Sequence, residues 1–176
     1  MFDRMLDMLA TDPDSESVMI DASIVRVHQH GAGAKGGSNF GRSRGGLTSK
    51  IHAIVDALGN PLKYEVTAGN VNDCVTGYDM LKAWDLKGKN VLADRGYDTD
   101  KIIALLNEKQ ANSVIPSHKH RTVQRPTDWW LFKERHLVEC LFQKLKHNRR
   151  LATRYDKLSR IFVAFLKLGS SIIWFN

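Results

Sequence analysis

The sequence predicts an α/β fold in which a mixed sheet is flanked by helices, in the element order βββαβαβα. Three short apolar segments rich in β-branched residues come first, each bounded by turn-forming residues. Amphipathic helical patterns then alternate with short apolar runs, which is typical of strands joined by helices. The 176 residues are 43% hydrophobic, enough for one domain with a substantial core.

The first three strands are predicted from their composition and from the turns between them. Residues 18–27 (VMIDASIVRV) form the first, and residues 50–57 and 62–67 form a hairpin closed by Gly59-Asn60-Pro61. Residues 31–46 (GAGAKGGSNFGRSRGG) hold seven glycines, so we expect neither strand nor helix there. Two interpretations of this loop remain open: a mobile loop whose Arg42 and Arg44 close on a phosphate backbone, and a disordered linker.

The second half alternates helices with short strands. We expect helices over residues 75–84, 99–107 and 131–150, with Asn72-Asp73 and Asp98 as caps, and strands over residues 90–93 and 113–115. Asp156 is predicted to cap a last helix, whose apolar residues Ile161, Phe162, Phe165, Ile172 and Ile173 would complete the core. Residues 1–17 are expected to form a short helix and a linker before a domain spanning residues 18–176.

Charge and composition limit the class of partner and the compartment. The net charge of +7 favours a polyanionic partner, without distinguishing nucleic acid from other acidic surfaces. Cys74 and Cys140 are expected to be reduced, small apolar side chains in a cytoplasmic protein. The apolar run over residues 161–175 is too short for a membrane span and is interrupted by Lys167, so no membrane partner is expected.

Three acidic residues lie within or next to predicted apolar elements, where a carboxylate is unfavourable unless it has a partner. Asp21 lies in the middle of an apolar strand, Asp94 lies just past the carboxyl end of another, and Glu139 lies on the border of a helix, in line with Arg135 and Lys146. Each has an ordinary alternative, namely a hydrogen-bonded core aspartate or a salt bridge between helix positions i and i+4.

The predicted topology suggests that these acids converge. In a ribonuclease-H-like sheet, which has this element order, the first strand lies beside and parallel to the fourth, so Asp21 and Asp94 would be neighbours. The helix with Glu139 would pack across that edge. A set of oxygen ligands suits Mg²⁺ or Mn²⁺. Two such ions, about 3.5–4 Å apart, would serve phosphodiester displacement.

The motifs resemble those of a known family. Arg135-x3-Glu139-x6-Lys146, Asp94-Arg-Gly-Tyr-Asp and Asp21-Ala-Ser resemble the catalytic domain of bacterial insertion-sequence DDE transposases of the four/five type, the group with a Tyr-x2-Arg-x3-Glu-x6-Lys signature. The likeness spans about residues 18–164, and Phe132 stands at the signature's tyrosine position.

The resemblance implies an activity and roles for individual residues. It implies hydrolytic nicking at transposon ends, followed by strand transfer into double-stranded target DNA by a homo-oligomer. Asp21, Asp94 and Glu139 would hold the metal ions, and Arg135 and Lys146 would bind DNA phosphates. Family members usually carry a preceding DNA-binding region, so we expect a second reading frame or a truncated copy, with an upstream-frame product as a possible partner.

A dense basic stretch follows Glu139 and is expected to contact the DNA backbone, although a solvated helix face is the alternative. It comprises Lys144, Lys146, His147, Arg149, Arg150, Arg154, Lys157 and Arg160. Trp129 and Trp130 either stack on an unpaired base or belong to a core or hinge. Trp84 and Trp174 are expected in the core.

Two other functions remain open at this point. The chain could be a non-catalytic DNA-binding or inhibitory fragment of a transposase. It could also be a zinc-dependent hydrolase that uses His28 with His30, or His118 with His120, although two-residue motifs of this kind are weak evidence.

Overall fold

The computed structural model describes residues 8–9, 16–31, 39–43 and 45–175, and a seven-stranded mixed sheet lies at its centre. The strands are β1 Ser17–Val27, β2 Gly41–Ser43, β3 Gly46–Val55, β4 Pro61–Ala68, β5 Asn90–Leu92, β6 Asn112–Val114 and β7 Thr153–Arg154. The helices are α1 Asp73–Lys82, α2 Asp100–Glu108, α3 Trp129–Phe132, α4 His136–Lys146, α5 Arg149–Ala152 and α6 Ser159–Trp174. Short 3-10 turns cover Gln29–Gly31, Arg95–Tyr97 and Lys133–Arg135.

The strand order confirms the predicted ribonuclease-H-like sheet. β1 lies between β3, with which it pairs antiparallel, and β5, with which it pairs parallel. β4 extends the sheet beyond β3 in antiparallel orientation, and β6 extends it beyond β5 in parallel orientation. β2 adds to β3, and the two-residue β7, absent from our prediction, adds to β1.

Alternation along β1 directs its side chains into two separate cores. Met19 and Val25 pack in one core with residues of α4 and α6, including Val138 and Phe162. Ile20 packs on the opposite face with residues of α1 and α2, including Ile102. Because successive strand residues point to opposite faces, Asp21 and Ser23 lie on the same face as Met19, toward α4.

Two predicted helix caps are wrong because the carboxylates of the proposed cap residues bind arginines instead. α2 is capped by Thr99, whose hydroxyl accepts a hydrogen bond from Ile102 N, whereas Asp98 binds arginines. α6 begins after Leu158, which provides no side-chain cap, and Asp156 pairs with Arg150 instead.

The predicted helix over residues 131–150 is interrupted near its end. α4 ends at Lys146, and Asn148 adopts an extended conformation (φ −81°, ψ 113°) and caps α5 by accepting from Arg150 N. Within α6, Phe162 is buried as predicted, but Ile161 and Ile172 are 40% and 58% exposed. The apolar face predicted for α6 is therefore wider than the face that is buried in the core.

Part of the glycine-rich segment forms a strand after all. Gly41–Ser43 pairs with the start of β3 and carries the exposed Arg42. Arg44 and residues 32–38 lie outside the described residues, as does most of the predicted N-terminal helix. No helix in the described part of the chain is long and apolar enough to span a membrane.

Candidate active site

Asp21 and Asp94 each lie two residues beyond the last residue pair that joins two adjacent parallel strands. The last residue pair between β1 and β5 is Met19 with Leu92, and each aspartate lies two residues further along its chain. Neighbouring strands are about 4.8 Å apart, and residues two apart share a face. Asp94, just past the carboxyl end of β5, therefore lies beside Asp21 in the middle of β1, and the carboxyl end of a strand is where open α/β sheets place ligands.

The Asp21 carboxylate is half-buried and held at both oxygens. One oxygen accepts from Ala22 N at 2.8 Å, and the other accepts from an Arg135 guanidinium nitrogen at 2.9 Å. Burial raises the pKa of the Asp21 carboxyl above its usual value, and the nearby charge of Asp94 adds to the rise. These causes outweigh the lowering of that pKa by Ala22 N–H and Arg135.

A tight turn after β5 positions Asp94. Its carboxylate caps the turn Arg95–Tyr97 by accepting from Gly96 N at 2.7 Å. A Cβ atom on Gly96 would lie 2.9 Å from the Asp94 Oδ1 atom, so a larger residue there would displace the carboxylate. The glycine in this motif is thus required by the close approach of the aspartate to the backbone.

Glu139 reaches the site through Arg135, one helical turn before it. Arg135 pairs with Glu139 and, through a second nitrogen, with Asp21. The side chain of Arg135 is 18% exposed and that of Glu139 is 50% exposed. Helix α4 thus places Glu139 on the solvent-exposed side of the site. This agrees with the prediction that Glu139 lies at the border of the helix's apolar face.

Lys146 fixes the other end of α4 to β1. Its ammonium group donates to the Ser23 hydroxyl at 2.6 Å, and burial lowers the pKa of Lys146 below its usual value. Ser23 lies on the same face as Asp21, two residues further along β1. Arg135 and Lys146, the two basic residues of the signature, therefore both contact β1, the strand that carries Asp21.

The three carboxylates suit a hard divalent cation by their chemistry, but the structure does not gather all three around one point. Asp21 and Asp94 adjoin, whereas the Arg135 guanidinium bonds to both Asp21 and Glu139. Among the described residues, no three His, Cys, Asp or Glu side chains lie close enough to share an ion. Since unshielded carboxylates repel one another, an arginine that bonds to two of them supplies the compensating charge.

The basic stretch after Glu139 divides into exposed and buried members. Lys144 and Arg149 are exposed, and Arg150 is exposed while it pairs with Asp156 at 2.6 Å and stacks on Phe165. Arg154, which we expected on the DNA-binding surface, is fully buried instead. It donates to Ser49 Oγ at 2.8 Å and lies 4.4 Å from the centre of the Phe40 ring.

Sequence reasoning missed an ionic anchor beside Asp94. The Asp98 side chain is fully buried and accepts from His118 N at 2.6 Å, from Arg121 Nε at 3.1 Å, and from Arg125. Although burial opposes it, these donors hold the pKa of the Asp98 carboxyl below its usual value. The sequence did contain a signal for this pairing: residues 116–127 include Arg121 and Arg125 but no acidic residue, and the Asp94 motif ends in Asp98.

The histidine pairs do not form a metal centre within the described residues. The rings of His28 and His30 lie 4.8 Å apart, and His28 also packs on Tyr155. Trp129 and Trp130 are 55% and 79% exposed, so a core role for them is wrong. Trp84 and Trp174 pack at the edge of the core, in line with our expectation.

Comparison with known sequences identifies relatives over most of the chain. The sequence model of one family, the transposase DDE domain, matches residues 12–174. A putative transposase for an insertion sequence element of Brucella ovis is 39% identical over 130 residues, which is 73% of this chain and 98% of that protein. A putative insertion-sequence transposase of Burkholderia cepacia is 36% identical over 138 residues, and the match covers 63% of its length.

Comparison with solved structures supports the fold. The piggyBac transposase, in a synaptic complex with hairpin DNA, superimposes with a TM-score of 0.66 at 11% identity. The match covers 99% of this chain and half of that one. The chain therefore corresponds to only part of the longer piggyBac protein.

Proposed function

The chain belongs to the transposase DDE-domain family, and on that premise we propose that it cleaves DNA at transposon ends and transfers the strands into target DNA. Asp21, Asp94 and Glu139 are the proposed catalytic acids. The observation that carries the proposal is that Asp94, just past the end of β5, lies beside Asp21 of the adjacent parallel strand β1, with Glu139 joined to Asp21 through Arg135. An ordinary core would not place two half-buried carboxylates side by side.

The same three acids are the proposed ligands of Mg²⁺ or Mn²⁺. Membership of the family implies divalent metal use. When bound, one or two such ions would activate a water molecule or a 3′-hydroxyl and stabilise the leaving oxyanion. Asp21 of β1 and Asp94 after β5 would share the ions, and Glu139 would complete the set from α4.

The DNA backbone is the proposed partner of the surrounding cations. Lys144, Arg149 and Arg150 present exposed positive charge beyond the end of the acidic site, and Arg42 does so from β2. Arg135, Lys146 and Arg44 are proposed to contact phosphates as well. Such contacts position DNA and contribute little sequence recognition.

Assembly on paired DNA ends is proposed from the family and is compatible with the synaptic complex formed by the piggyBac transposase. The proposal includes a homo-oligomer on transposon ends and a product of an upstream reading frame as a further partner. Cross-linking of the protein on DNA with two transposon ends tests the first of these.

Replacing Asp94 by Asn tests the catalytic assignment. The carboxamide keeps the shape and can still accept from Gly96 N, but it removes the charge that a divalent ion requires. We expect metal-dependent nicking of DNA that carries a transposon end to fall at least about a thousandfold, with DNA binding nearly unchanged. A nicking assay and a binding assay on the same substrate measure both.

The matched control is Asp85→Asn, which removes an exposed carboxylate from the loop before β5. It should nick DNA like the unmodified protein. Full nicking by the Asp94 variant would refute the assignment. Salt-sensitive DNA binding without cleavage by the unmodified chain, at every Mg²⁺ or Mn²⁺ concentration, would instead support a non-catalytic DNA-binding fragment.

A further inference from the structure

Arg135 occupies a position from which it contacts two of the three proposed metal ligands. We propose that Arg135 is an internal counter-cation that divalent ions displace, so that metal binding frees its guanidinium for the DNA backbone. This inference rests on the proposed function, because it takes Asp21 and Glu139 as metal ligands. It adds that metal and arginine compete for the same oxygens.

The geometry of the guanidinium carries the first step. One terminal nitrogen donates to the Asp21 Oδ2 atom at 2.9 Å, and the other donates to Glu139 Oε1. The planar fork of an arginine suits two carboxylates presented on different elements, and its charge persists at every relevant pH. The arginine thereby joins β1 to α4 across the site.

Charge accounts for the competition. Asp21 also lies close to the like charge of Asp94, so the site attracts any cation that can reach it. A divalent ion bound by Asp21 and Glu139 would take the oxygens that Arg135 now uses and would repel the guanidinium. Both cations cannot be held by the same oxygen atoms at full strength.

Packing explains why substitution of Arg135 should leave Asp21 and Glu139 in their positions. Val138 and Leu141, which flank Glu139 on α4, are buried in the core. The backbone of Asp21 is paired with Ala53 in the middle of the sheet. Because the positions of both ligands are fixed by the backbone, removing Arg135 chiefly removes a competitor.

A released Arg135 has a ready alternative partner. Arg135 lies in the 3-10 turn that leads into α4, and its guanidinium is already near the face of Phe132, 5.8 Å from the ring centre. A phosphate brought to the metal site would be within the range of a long, flexible side chain. Metal loading would then increase the affinity for DNA by changing the partner of one residue.

Calorimetric titration of the DNA-free protein with Mn²⁺ or Ca²⁺ tests the competition without relying on activity. Arg135→Gln removes the charge, and we expect it to bind the ion on the order of tenfold more tightly than the unmodified protein. Arg149→Gln removes an equal charge from an exposed position and should change the affinity far less. Equal or weaker binding by the Arg135 variant would overturn the inference.

DNA binding provides the second measurement. Ca²⁺ should strengthen DNA binding by the unmodified protein, and Arg135→Gln should lose most of that increase while retaining its tighter metal binding. If the variant fails to fold, the arginine side-chain NMR signals of the unmodified protein replace it, with Arg135 assigned from Arg135→Lys. An Arg135 signal that does not move at saturating Ca²⁺ would overturn the inference.

These results separate the two proposals. If the unmodified protein binds no divalent ion, both the proposed metal site and the proposed role of Arg135 are refuted. Metal binding that the Arg135 substitution leaves unchanged would sink only the latter, because the nicking assay on the Asp94 variant decides the catalytic assignment independently.

Discussion

Residues of one chemical type have different tasks in this chain, and burial decides which. Arg149 and Arg154 are five positions apart in the same basic stretch. Arg149 faces solvent, whereas Arg154 of β7 is fully buried between β3, α6 and the segment that follows β7. Burial lowers the pKa of Arg154 to about 10, and Asp156 opposes that change. Arg154 is therefore still a cation at neutral pH, and its guanidinium donates hydrogen bonds to Ser49 and to the chain after β7, so it is not available to DNA.

A buried histidine at the residue scale should make the protein sensitive to mild acid. His52 is fully buried, and its Nε2 lies 2.9 Å from the Thr67 hydroxyl. Burial lowers the pKa of His52 to about 4, from 6.5 in an unfolded chain; Asp73 opposes the shift and Lys50 supports it. Because the unfolded chain binds the proton more readily, this contribution to stability is complete above pH 6.5. It is lost as the pH falls toward 4.

We therefore expect His52 to account for a loss of up to about 3 kcal/mol in the free energy of unfolding between pH 7 and pH 4. His52→Gln cannot take up a proton, so its stability should fall less steeply over the same interval. Chemical denaturation of both proteins at several pH values measures the difference. Parallel curves would contradict the assignment.

At the scale of elements, the packing of α1 on the turn after β5 supports Asp94. A Cβ atom on Gly77 of α1 would lie 2.5 Å from the Tyr97 ring, and Tyr97 is only 1% exposed. Tyr97 ends the turn that Asp94 caps. The absence of a side chain at Gly77 thus lets the helix approach the turn that positions the acid.

Gly77→Ala is expected to destabilise the protein by about 1–3 kcal/mol, because the buried ring must shift to make room. Nicking should also fall, since movement of Tyr97 is transmitted to Asp94. Gly45→Ala is the control, because its nearest neighbouring atom would be 3.8 Å away. Thermal melts and nicking assays that show the two variants to be alike would argue against this packing role.

At the scale of the whole molecule, only part of the excess positive charge of +7 is exposed and available to bind DNA. Arg121 and Arg125 are paired with Asp98, and Arg154 is buried. Lys144, on the helix that carries Glu139, and Arg149, at the start of the next helix, are exposed. We infer that the surface around the end of α4 supplies much of the electrostatic attraction for DNA.

Substituting both Lys144 and Arg149 by Gln should therefore reduce the salt dependence of DNA binding. Each lost phosphate contact lowers the slope of log K against log salt by about one, so a decrease of about two is expected. Lys82→Gln with Lys87→Gln removes two exposed charges near the end of α1 and serves as the control. Equal slopes for the two double variants would show that the charge acts only globally.

Much of the fold was predictable because period and turn chemistry are local. The apolar, β-branched strand over residues 18–27, the hairpin closed by Gly59-Asn60-Pro61 and the apolar face of α4 all appear at the expected places. The caps were less predictable. Asp98 and Asp156 each have the sequence context of an N-cap, but Asp98 pairs with arginines more than twenty residues further along the chain, and Asp156 pairs with Arg150 of the preceding helix. A local pattern cannot show such a competing partner.

The sequence by itself determined the order of the elements, the candidate acids and the spacing of Arg135, Glu139 and Lys146. The tertiary structure alone decided that Asp21 and Asp94 extend equally beyond a shared register, and that Arg135 bonds to two of the acids. It also decided which cations are exposed. The physical reason is that hydrophobic periodicity is carried by neighbouring residues, whereas the partner of a charge is set by the long-range packing of strands and helices.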